Sequence, residues 1–290
     1  SGLVGSEMCI RDRRLYMNKI SVLMSVYKND NADFLKLALK SIYEDQTVKP
    51  DEIVVVCDGP LTPQLDIVIE KFSNDKKEVV NILRLEKNGG LGNALKVGSQ
   101  YCSYEYIMRM DADDISDRYR FEKQLKYMET HPNVDVLGTY IAEFNKSPKE
   151  EDMRVRIVPE NLDGIKKMAK KRNPMNHVSV CIKKSALLKC GGYKTLLLLE
   201  DYYLWLNMIV AGCNLANIPE SLVYVRVGNG FDSKRGSKER IIGWKVLQNF
   251  MIEHGMINRL QATLNMFYIW AFVNMSGSIK HFTYKYLLRK

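Results

Sequence analysis

Apolar segments alternate with helical patterns along the first 111 residues of the chain. Four segments rich in Val, Ile, Leu and Met cover residues 19–27, 50–59, 79–86 and 104–111. Continuous apolar runs of this length are typical of strands buried on both faces of a sheet. The segments between them carry apolar side chains at helical spacing, at residues 32–46, 63–73 and 90–102. The alternation predicts an α/β fold with a mostly parallel, Rossmann-like sheet flanked by helices.

Patterns beyond residue 111 predict further elements. In chain order they are a helix at 120–132, a strand at 134–145, a strand with a short helix and a Gly-Gly turn within 176–193, a helix at 199–212 and a strand with a turn at 215–228. A loop and two more helical patterns follow, which predicts a C-terminal helical extension.

Polar and acidic residues stand at the carboxyl ends of three predicted strands. They are residues 27–30, Asp58 and the acids of the segment DADD at 111–114. In open parallel sheets, ligands bind outside the carboxyl ends of the strands, so these residues are expected to face one crevice. Asp111 and Asp113 are two apart, and both carboxylates can reach one hard cation such as Mg²⁺ or Mn²⁺. For an isolated pair of this kind, a solvated turn is the alternative.

The net charge of +9 is concentrated near the C-terminus. Residues 226–290 contain 11 Lys and Arg against 3 Asp and Glu, which leaves about +1 for residues 1–225. The same segment carries many aromatic residues, namely Trp244, Phe267, Tyr268, Trp270, Phe272, Phe282, Tyr284 and Tyr286. Basic and aromatic residues on helices favour contact with an anionic membrane surface. Packing against the body of the protein or in a homodimer is the alternative, and no nucleic-acid recognition motif accompanies the charge.

Cysteine spacing and hydropathy indicate in which cellular compartment the protein is expected. The six cysteines have no CxxC spacing, and several fall in apolar runs, which favours reduced, buried thiols in a cytoplasmic protein. The apolar run at 264–275 is shorter than the roughly 20 residues that a membrane-spanning helix needs. Residues 1–16 lack the apolar core of a signal peptide and are interpreted as a non-native leader.

Six segments in order resemble family 2 glycosyltransferases with the GT-A fold, and bacterial polysaccharide enzymes of the amylovoran type in particular. They are ISVLMSVY, QTVKPDEIVVVCDG, NGGLGNALKVG, MDADDI, NHVSVCIKKSALLKCGGY and LEDYYLWLNM. The resemblance covers residues 19–230, so residues 17–230 are assigned to the glycosyltransferase domain and residues 231–290 to a basic, aromatic helical extension. It implies inverting transfer of a sugar from a nucleotide-diphosphate sugar, with UDP as the expected nucleotide. The implied acceptor is a glycan or a polyprenyl-diphosphate-linked sugar at the inner face of the cell membrane.

The resemblance also assigns donor contacts. Asp58 would accept a hydrogen bond from the nucleobase, flanked by Tyr27 and the backbone of Ser25 and Val26. Cys57 replaces an acid that the family often has at this turn. A turn acid and ordinary packing at the end of a strand are the alternatives for Asp58 and Tyr27.

Two more donor segments follow from the resemblance. Asn88 and Gly90 would contact the donor in a glycine-rich loop, since glycine lets backbone approach a ligand closely. A plain turn is the alternative for this segment. Asp111, Ala112 and Asp113 would bind the diphosphate, with Asp111 and Asp113 as metal ligands. Asp114 is expected to cap the next helix, and orientation of the other two acids is the alternative.

The acceptor side is assigned in the same way. Asp201 would be the catalytic base that takes the proton of the acceptor hydroxyl, and Glu200 would position the acceptor. Acids at a helix start are also common for stability alone. His177 is placed near the acceptor cleft, where a structural histidine is the alternative. Arg235 lies in a glycine-containing loop that would supply positive charge to the diphosphate; a solvated basic loop is the alternative.

Other functions fit the motifs less well. A sugar nucleotidyltransferase would have a glycine-rich, basic loop after its first strand, where this chain has SVYKNDN. An aspartyl phosphatase would carry its acids after the first strand rather than the fourth. A non-catalytic module that binds a nucleotide sugar remains open, and it predicts donor binding without turnover.

Overall fold

The computed structural model describes residues 18–148, 153–196, 198–227 and 239–274. The predicted leader at residues 1–16 lies outside the described residues, as do Arg235 with its loop and the aromatic residues beyond Asn274.

The described chain forms nine strands and nine helices. The strands are β1 Ile20–Val26, β2 Glu52–Cys57, β3 Val80–Arg84, β4 Tyr106–Asp111, β5 Ile115–Ser116, β6 Val136–Phe144, β7 Arg154–Arg156, β8 Cys181–Lys183 and β9 Leu215–Arg226. The helices are α1 Ala32–Ile42, α2 Pro63–Asn74, α3 Leu91–Tyr101, α4 Arg120–Thr130, α5 Leu162–Ala169, α6 Lys184–Lys189, α7 Glu200–Val210, α8 Glu239–Glu253 and α9 Arg259–Asn274. A 3₁₀ turn spans His177–Ser179.

All nine strands join one sheet. Its order is β3-β2-β1-β4-β8-β6-β9-β5, and β7 pairs with β6. The four strands of the N-terminal half run parallel, which confirms the arrangement predicted for them. The other half is mixed, because β8 pairs antiparallel with both β4 and β6, while β6 and β9 run parallel.

Three short elements are absent from the sequence prediction. β5 has two residues, β7 has three, and α5 has eight, so each is shorter than the window over which a hydrophobic pattern identifies a strand or a helix. β5 becomes a strand only by pairing with β9. Helix α5 begins at a capped position, where the Asn161 side chain accepts a hydrogen bond from the Gly164 amide at 2.9 Å.

Two hydrophobic cores cover the two faces of the sheet. Side chains alternate along β1, so Val22 and Met24 belong to one core and Leu23 to the other. The second core includes Leu247 and Met251 of α8, both fully buried. The predicted C-terminal extension is therefore packed against the body of the protein through α8.

The cysteines of the described chain are free and buried, as the sequence predicts for those residues. Two of them, Cys190 and Cys213, have sulfur atoms 3.6 Å apart. Among the described helices, none combines the length and apolar character required to cross a lipid bilayer.

Candidate active site

The carboxyl ends of β2, β1 and β4 lie side by side at one edge of the sheet. In the register of the strands, Val26 is opposite Cys57 and Ser25 is opposite Asp111. The carbonyl of Val26 accepts a hydrogen bond from the Asp58 amide at 2.8 Å. The strand ends that the sequence predicts at one crevice are therefore adjacent in the structure.

Asp58 holds the glycine-rich loop. Its two carboxylate oxygens accept hydrogen bonds from the amides of Gly89, at 2.8 Å, and Gly90, at 2.9 Å. The Asn88 side chain donates to the Asp58 carbonyl at 3.1 Å, and Asp58 is only 3% exposed. The observed role of this carboxylate is thus to position the loop, while its contact with a nucleobase stays a prediction.

Two glycines make this loop possible. Gly59 has φ +83°, and a Cβ built there would lie 2.5 Å from the Asn88 nitrogen, so any side chain would push the loop away. Gly90 has φ +82° and precedes α3, and a Cβ at Gly90 would meet nothing within 4 Å. The backbone of Gly90 therefore borders open space at the start of a helix, where amide groups favour anions.

The acidic turn after β4 gathers three carboxylates. Asp111, Asp113 and Asp114 each offer an oxygen within 4.8 Å of the other two. Asp111 is half-buried, Asp113 is exposed and Asp114 is buried. Partial desolvation and the charge of Asp111 raise the pKa of Asp113 to about 6. Burial and both neighbouring carboxylates raise the pKa of Asp114 well above its usual value.

Arg109 is one cation that stabilises this turn. It lies in the middle of β4, is 2% exposed, and forms an ion pair with the Asp111 carboxylate. Burial alone would lower the pKa of Arg109, but the charge and hydrogen bond of Asp111 raise it on balance. The only signal for this role in the sequence is a charged residue within an apolar strand.

Arg226, at the end of β9, supports the turn from the other side. Its amide donates to Asp114 Oδ1 at 2.9 Å and its Nε donates to the Asp113 carbonyl at 3.2 Å. The guanidinium stacks on the rings of Phe34, 3.8 Å from the ring centroid, and Phe144, 4.6 Å away. These contacts are long-range in sequence, so the pattern around residue 226 did not predict them.

The predicted capping role of Asp114 is wrong. Helix α4 is preceded by Tyr119, which makes no side-chain cap, and the Asp117 carboxylate accepts the Tyr119 amide at 2.9 Å instead. Asp114 lies six residues before the first residue of α4. Its carboxylate accepts a hydrogen bond from the backbone of β9 instead, because β5 and β9 pair there.

The start of α7 faces the start of α3. A Cβ built on Gly92 would lie 3.2 Å from Cβ of Glu200, so the two helices meet at this point. Asp201 is half-buried, and its carboxylate accepts hydrogen bonds from Asn173 Nδ2 at 2.6 Å and from the Tyr202 amide at 2.7 Å. Asn173 thus orients Asp201, a contact that the sequence analysis did not predict.

Tyr193 is buried and pairs with His177. Its hydroxyl lies 3.0 Å from His177 Nε2, and the His177 ring packs edge-on against Trp205. Burial raises the pKa of Tyr193, against the effect of Arg109, and Asp201 raises it further. Burial and the charge of Arg109 lower the pKa of His177 well below its usual value, which disfavours the protonated ring. The observed contacts of His177 are within the protein, and its role at the acceptor stays a prediction.

Comparison with known proteins shows the family. A sequence model of Glycosyl transferase family 2 matches residues 21–197. The chain is 38% identical over 229 residues to the amylovoran biosynthesis glycosyltransferase AmsE of Erwinia amylovora, covering 79% of this chain and 82% of that one. It is 38% identical over 220 residues to the UDP-Gal:alpha-D-GlcNAc-diphosphoundecaprenol beta-1,3-galactosyltransferase of Escherichia coli, covering 75% and 78%.

A solved structure shares the fold. The mannosyltransferase PcManGT of Pyrobaculum calidifontis, in complex with GDP-Man and Mn²⁺, superposes with a TM-score of 0.63 at 15% sequence identity, over 90% of this chain and 71% of that one. The strand order of the sheet is consistent with the fold of this structure, and the family model covers most of the same residues. The chain belongs to glycosyl transferase family 2 and has the GT-A fold.

Proposed function

We propose that this glycosyltransferase moves a sugar from a UDP-sugar to a diphosphate-linked acceptor in bacterial polysaccharide synthesis, with inversion at the anomeric carbon. One observation carries the proposal. The glycine-rich loop and the acidic turn lie along one edge of the sheet, and the loop-bearing helix α3 meets the acids of α7. One relative is named for amylovoran biosynthesis, and the other for transfer from UDP-Gal to a GlcNAc-diphosphoundecaprenol acceptor. These names support the choice of substrates.

The donor would lie on the edge formed by β1 and β2. Tyr27 is half-buried at the end of β1 and can flank the base with the backbone of Ser25 and Val26. Asn88 and Gly90 border the space beside it, and the buried Ala112 leaves the adjoining turn without a bulky side chain.

The acidic turn suits a divalent cation. Asp111 and Asp113 would hold Mg²⁺ or Mn²⁺, because their carboxylates offer hard oxygen ligands and are less buried than the carboxylate of Asp114. Such a cation would neutralise the charge that develops on the leaving diphosphate. The repulsion between the two carboxylates in the metal-free protein is what a bound cation would relieve.

Asp201 would act as the base. As the acceptor hydroxyl oxygen bonds to the anomeric carbon, its proton passes to the Asp201 carboxylate. The bond from that carbon to the phosphate oxygen breaks on the opposite face, so the configuration inverts and the nucleoside diphosphate leaves. Glu200, one residue earlier and next to Gly92, would position the acceptor.

Helix α9 would contact the membrane that carries the acceptor lipid. Three of its aromatic side chains are more than half exposed, namely Phe267, Tyr268 and Trp270. Aromatic residues of this kind sit at membrane interfaces, and the sequence after α9 is basic. Trp244, by contrast, packs edge-on against Tyr202 within the protein.

The donor loop provides a first prediction. Asp58→Asn should weaken UDP binding by about 10-fold or more, because the amide group offers hydrogens toward the Gly89 or Gly90 amide instead of accepting from it. Gly59→Ala should produce a similar loss through the clash at Asn88, without touching the nucleotide. Calorimetric titration with UDP measures both. Strong loss in Asp58→Asn with normal binding in Gly59→Ala would favour direct contact of Asp58 with the base over the loop-holding role.

A donor screen tests the proposed reaction. The protein is incubated with an alkyl-diphosphate sugar acceptor and each of several nucleotide sugars, with Mn²⁺, with Mg²⁺ and with a chelator, and nucleoside diphosphate release is measured. We expect UDP to be released from a UDP-sugar, and this release should require both the cation and the acceptor. Release of pyrophosphate from a nucleoside triphosphate and a sugar phosphate would support a nucleotidyltransferase instead. Donor binding without turnover in any condition would support a non-catalytic module.

A further inference from the structure

The two arginines at the acidic turn differ in their ionic partners. Arg109 is 2% exposed and is paired with the Asp111 carboxylate. Arg226 is half-buried, and within the part of the chain that the structure describes its side chain forms no ion pair. One arginine therefore has its charge balanced by a carboxylate of the turn, and the charge of the other is left for a ligand.

The hydrogen bonds of Arg226 use only some of its donors. Its amide donates to Asp114 Oδ1 at 2.9 Å, and its Nε donates to the Asp113 carbonyl at 3.2 Å. To the described residues, Nη1 and Nη2 donate no hydrogen bond. Because Nε is anchored beside Asp113, these two terminal nitrogens lie at the acidic turn with N–H groups that a bound anion can accept.

Two aromatic rings hold the guanidinium of Arg226 in place. Its Cζ lies 3.8 Å from the centroid of the Phe34 ring and 4.6 Å from that of Phe144. Phe34 belongs to the first turn of α1, the helix that follows β1, and Phe144 is the last residue of β6. A guanidinium that packs on aromatic faces keeps its in-plane N–H donors. The side chain is therefore fixed between the end of β1 and the acidic turn, which are both assigned to the donor.

We propose that Arg226 binds the diphosphate of the nucleotide-sugar donor through its two terminal nitrogens. The inference rests on the proposed function, because it adds a residue to the donor site of that reaction. A guanidinium forms parallel hydrogen bonds with phosphate oxygens, and its charge stabilises the negative charge that develops on the diphosphate as it leaves. The resemblance assigns positive charge of this kind to Arg235, which lies outside the described residues, whereas Arg226 is placed at the turn by its own contacts.

Binding of UDP and of uridine tests this role without turnover. Arg226→Gln is the informative variant, because the glutamine Nε2 replaces the arginine Nε beside the Asp113 carbonyl while both terminal nitrogens are removed. With Mn²⁺ present, this variant should bind UDP about 10-fold or more weakly by calorimetry, and uridine within about 2-fold of the wild type by ligand-observed NMR. Arg226→Lys should retain part of the UDP affinity, since it keeps the charge and loses the planar fork.

Arg118→Gln is the matched control. Arg118 is an exposed arginine that follows the acidic turn in sequence and packs on the ring of Tyr119. This variant should bind UDP like the wild type. Equal UDP affinity in the wild type and Arg226→Gln would overturn the inference. An equal loss for UDP and uridine would also overturn it, because the effect would then lie at the nucleoside.

Titration with Mn²⁺ alone separates contact with the diphosphate from an effect on the acidic turn. Unchanged Mn²⁺ affinity in Arg226→Gln, together with weaker UDP binding, supports the contact. A parallel loss of both affinities would assign Arg226 to shaping the turn and would contradict the inference. If UDP binding depends on Arg226 but the wild type transfers no sugar, the inference stands and the proposed transfer fails. A wild type without affinity for UDP would refute the donor site and this inference together.

Discussion

Asp201→Asn is expected to lower the rate of sugar transfer by about 10²- to 10⁴-fold, the usual contribution of a general base. The amide has nearly the same shape and can still accept one of the two hydrogen bonds that Asn173 and Tyr202 donate to the carboxylate. It cannot take the proton of the acceptor hydroxyl. The change therefore removes the chemistry and retains most of the local structure at the start of α7.

Single-turnover transfer and UDP-sugar binding, measured on the same preparation, check this prediction. We expect the affinity for the donor to change less than about 2-fold. Glu220→Gln is a matched control, because Glu220 is an exposed carboxylate that pairs with Lys123 at the surface; such pairs contribute little, and the rate should be unchanged. Retention of more than a tenth of the wild-type rate in Asp201→Asn would mean that another group takes the proton.

Asp113→Asn is expected to abolish cation binding and to leave the metal-free protein as stable as the wild type or more stable. The carboxylate of Asp113 is disfavoured in its charged form, because it is partly desolvated and repelled by Asp111. The pKa of Asp113 is raised in the folded chain, so the folded protein binds more protons than the unfolded one between pH about 4 and about 6. The stabilisation present below that window is lost as the pH rises through about 6. The difference in stability between the variant and the wild type should therefore be largest above pH 6 and decrease as the pH is lowered.

Thermal melting of the metal-free proteins across this pH range, with Mn²⁺ titration at pH 8, measures both effects. Asp111→Asn provides the contrast, since it also removes a cation ligand but leaves the buried Arg109 without its ion-pair partner. Loss of one partner of such a pair costs about 3 kcal/mol, near the lower end of the range because Asp111 is partly exposed. A lower melting temperature for Asp113→Asn than for wild type at pH 8, or undiminished Mn²⁺ affinity, would contradict the assignment.

The N-terminal half of the fold could be predicted because its signals are local. The strands β1, β2 and β4 are continuous apolar runs, and the helices between them repeat every three to four residues, so each element is visible within its own segment. Parallel strands then require crossover helices, and this requirement places the three strand ends at one edge. That β4 lies next to β1, with Asp111 beside Ser25, was decided by the strand order that the structure shows.

The partners of the site residues could not be predicted in this way. Arg109 and Arg226 stabilise the same acidic turn from β4 and β9, more than 100 residues apart in the chain. Asp58 has the expected position, but its carboxylate holds Gly89 and Gly90 of a loop about 30 residues later. A sequence pattern shows that a carboxylate is present, and not which donor reaches it.

The amino-acid sequence by itself determined the strand and helix order, the edge of the sheet that carries the acids, and the family. Tertiary structure alone decided that β8 enters the sheet antiparallel, that Asp114 serves β9 instead of α4, and that Asn173 connects Arg156 with Asp201. The reason is physical: side-chain periodicity and capping depend on neighbours within a few residues, whereas buried charges and polar groups are satisfied by whichever segments the packed sheet brings into contact.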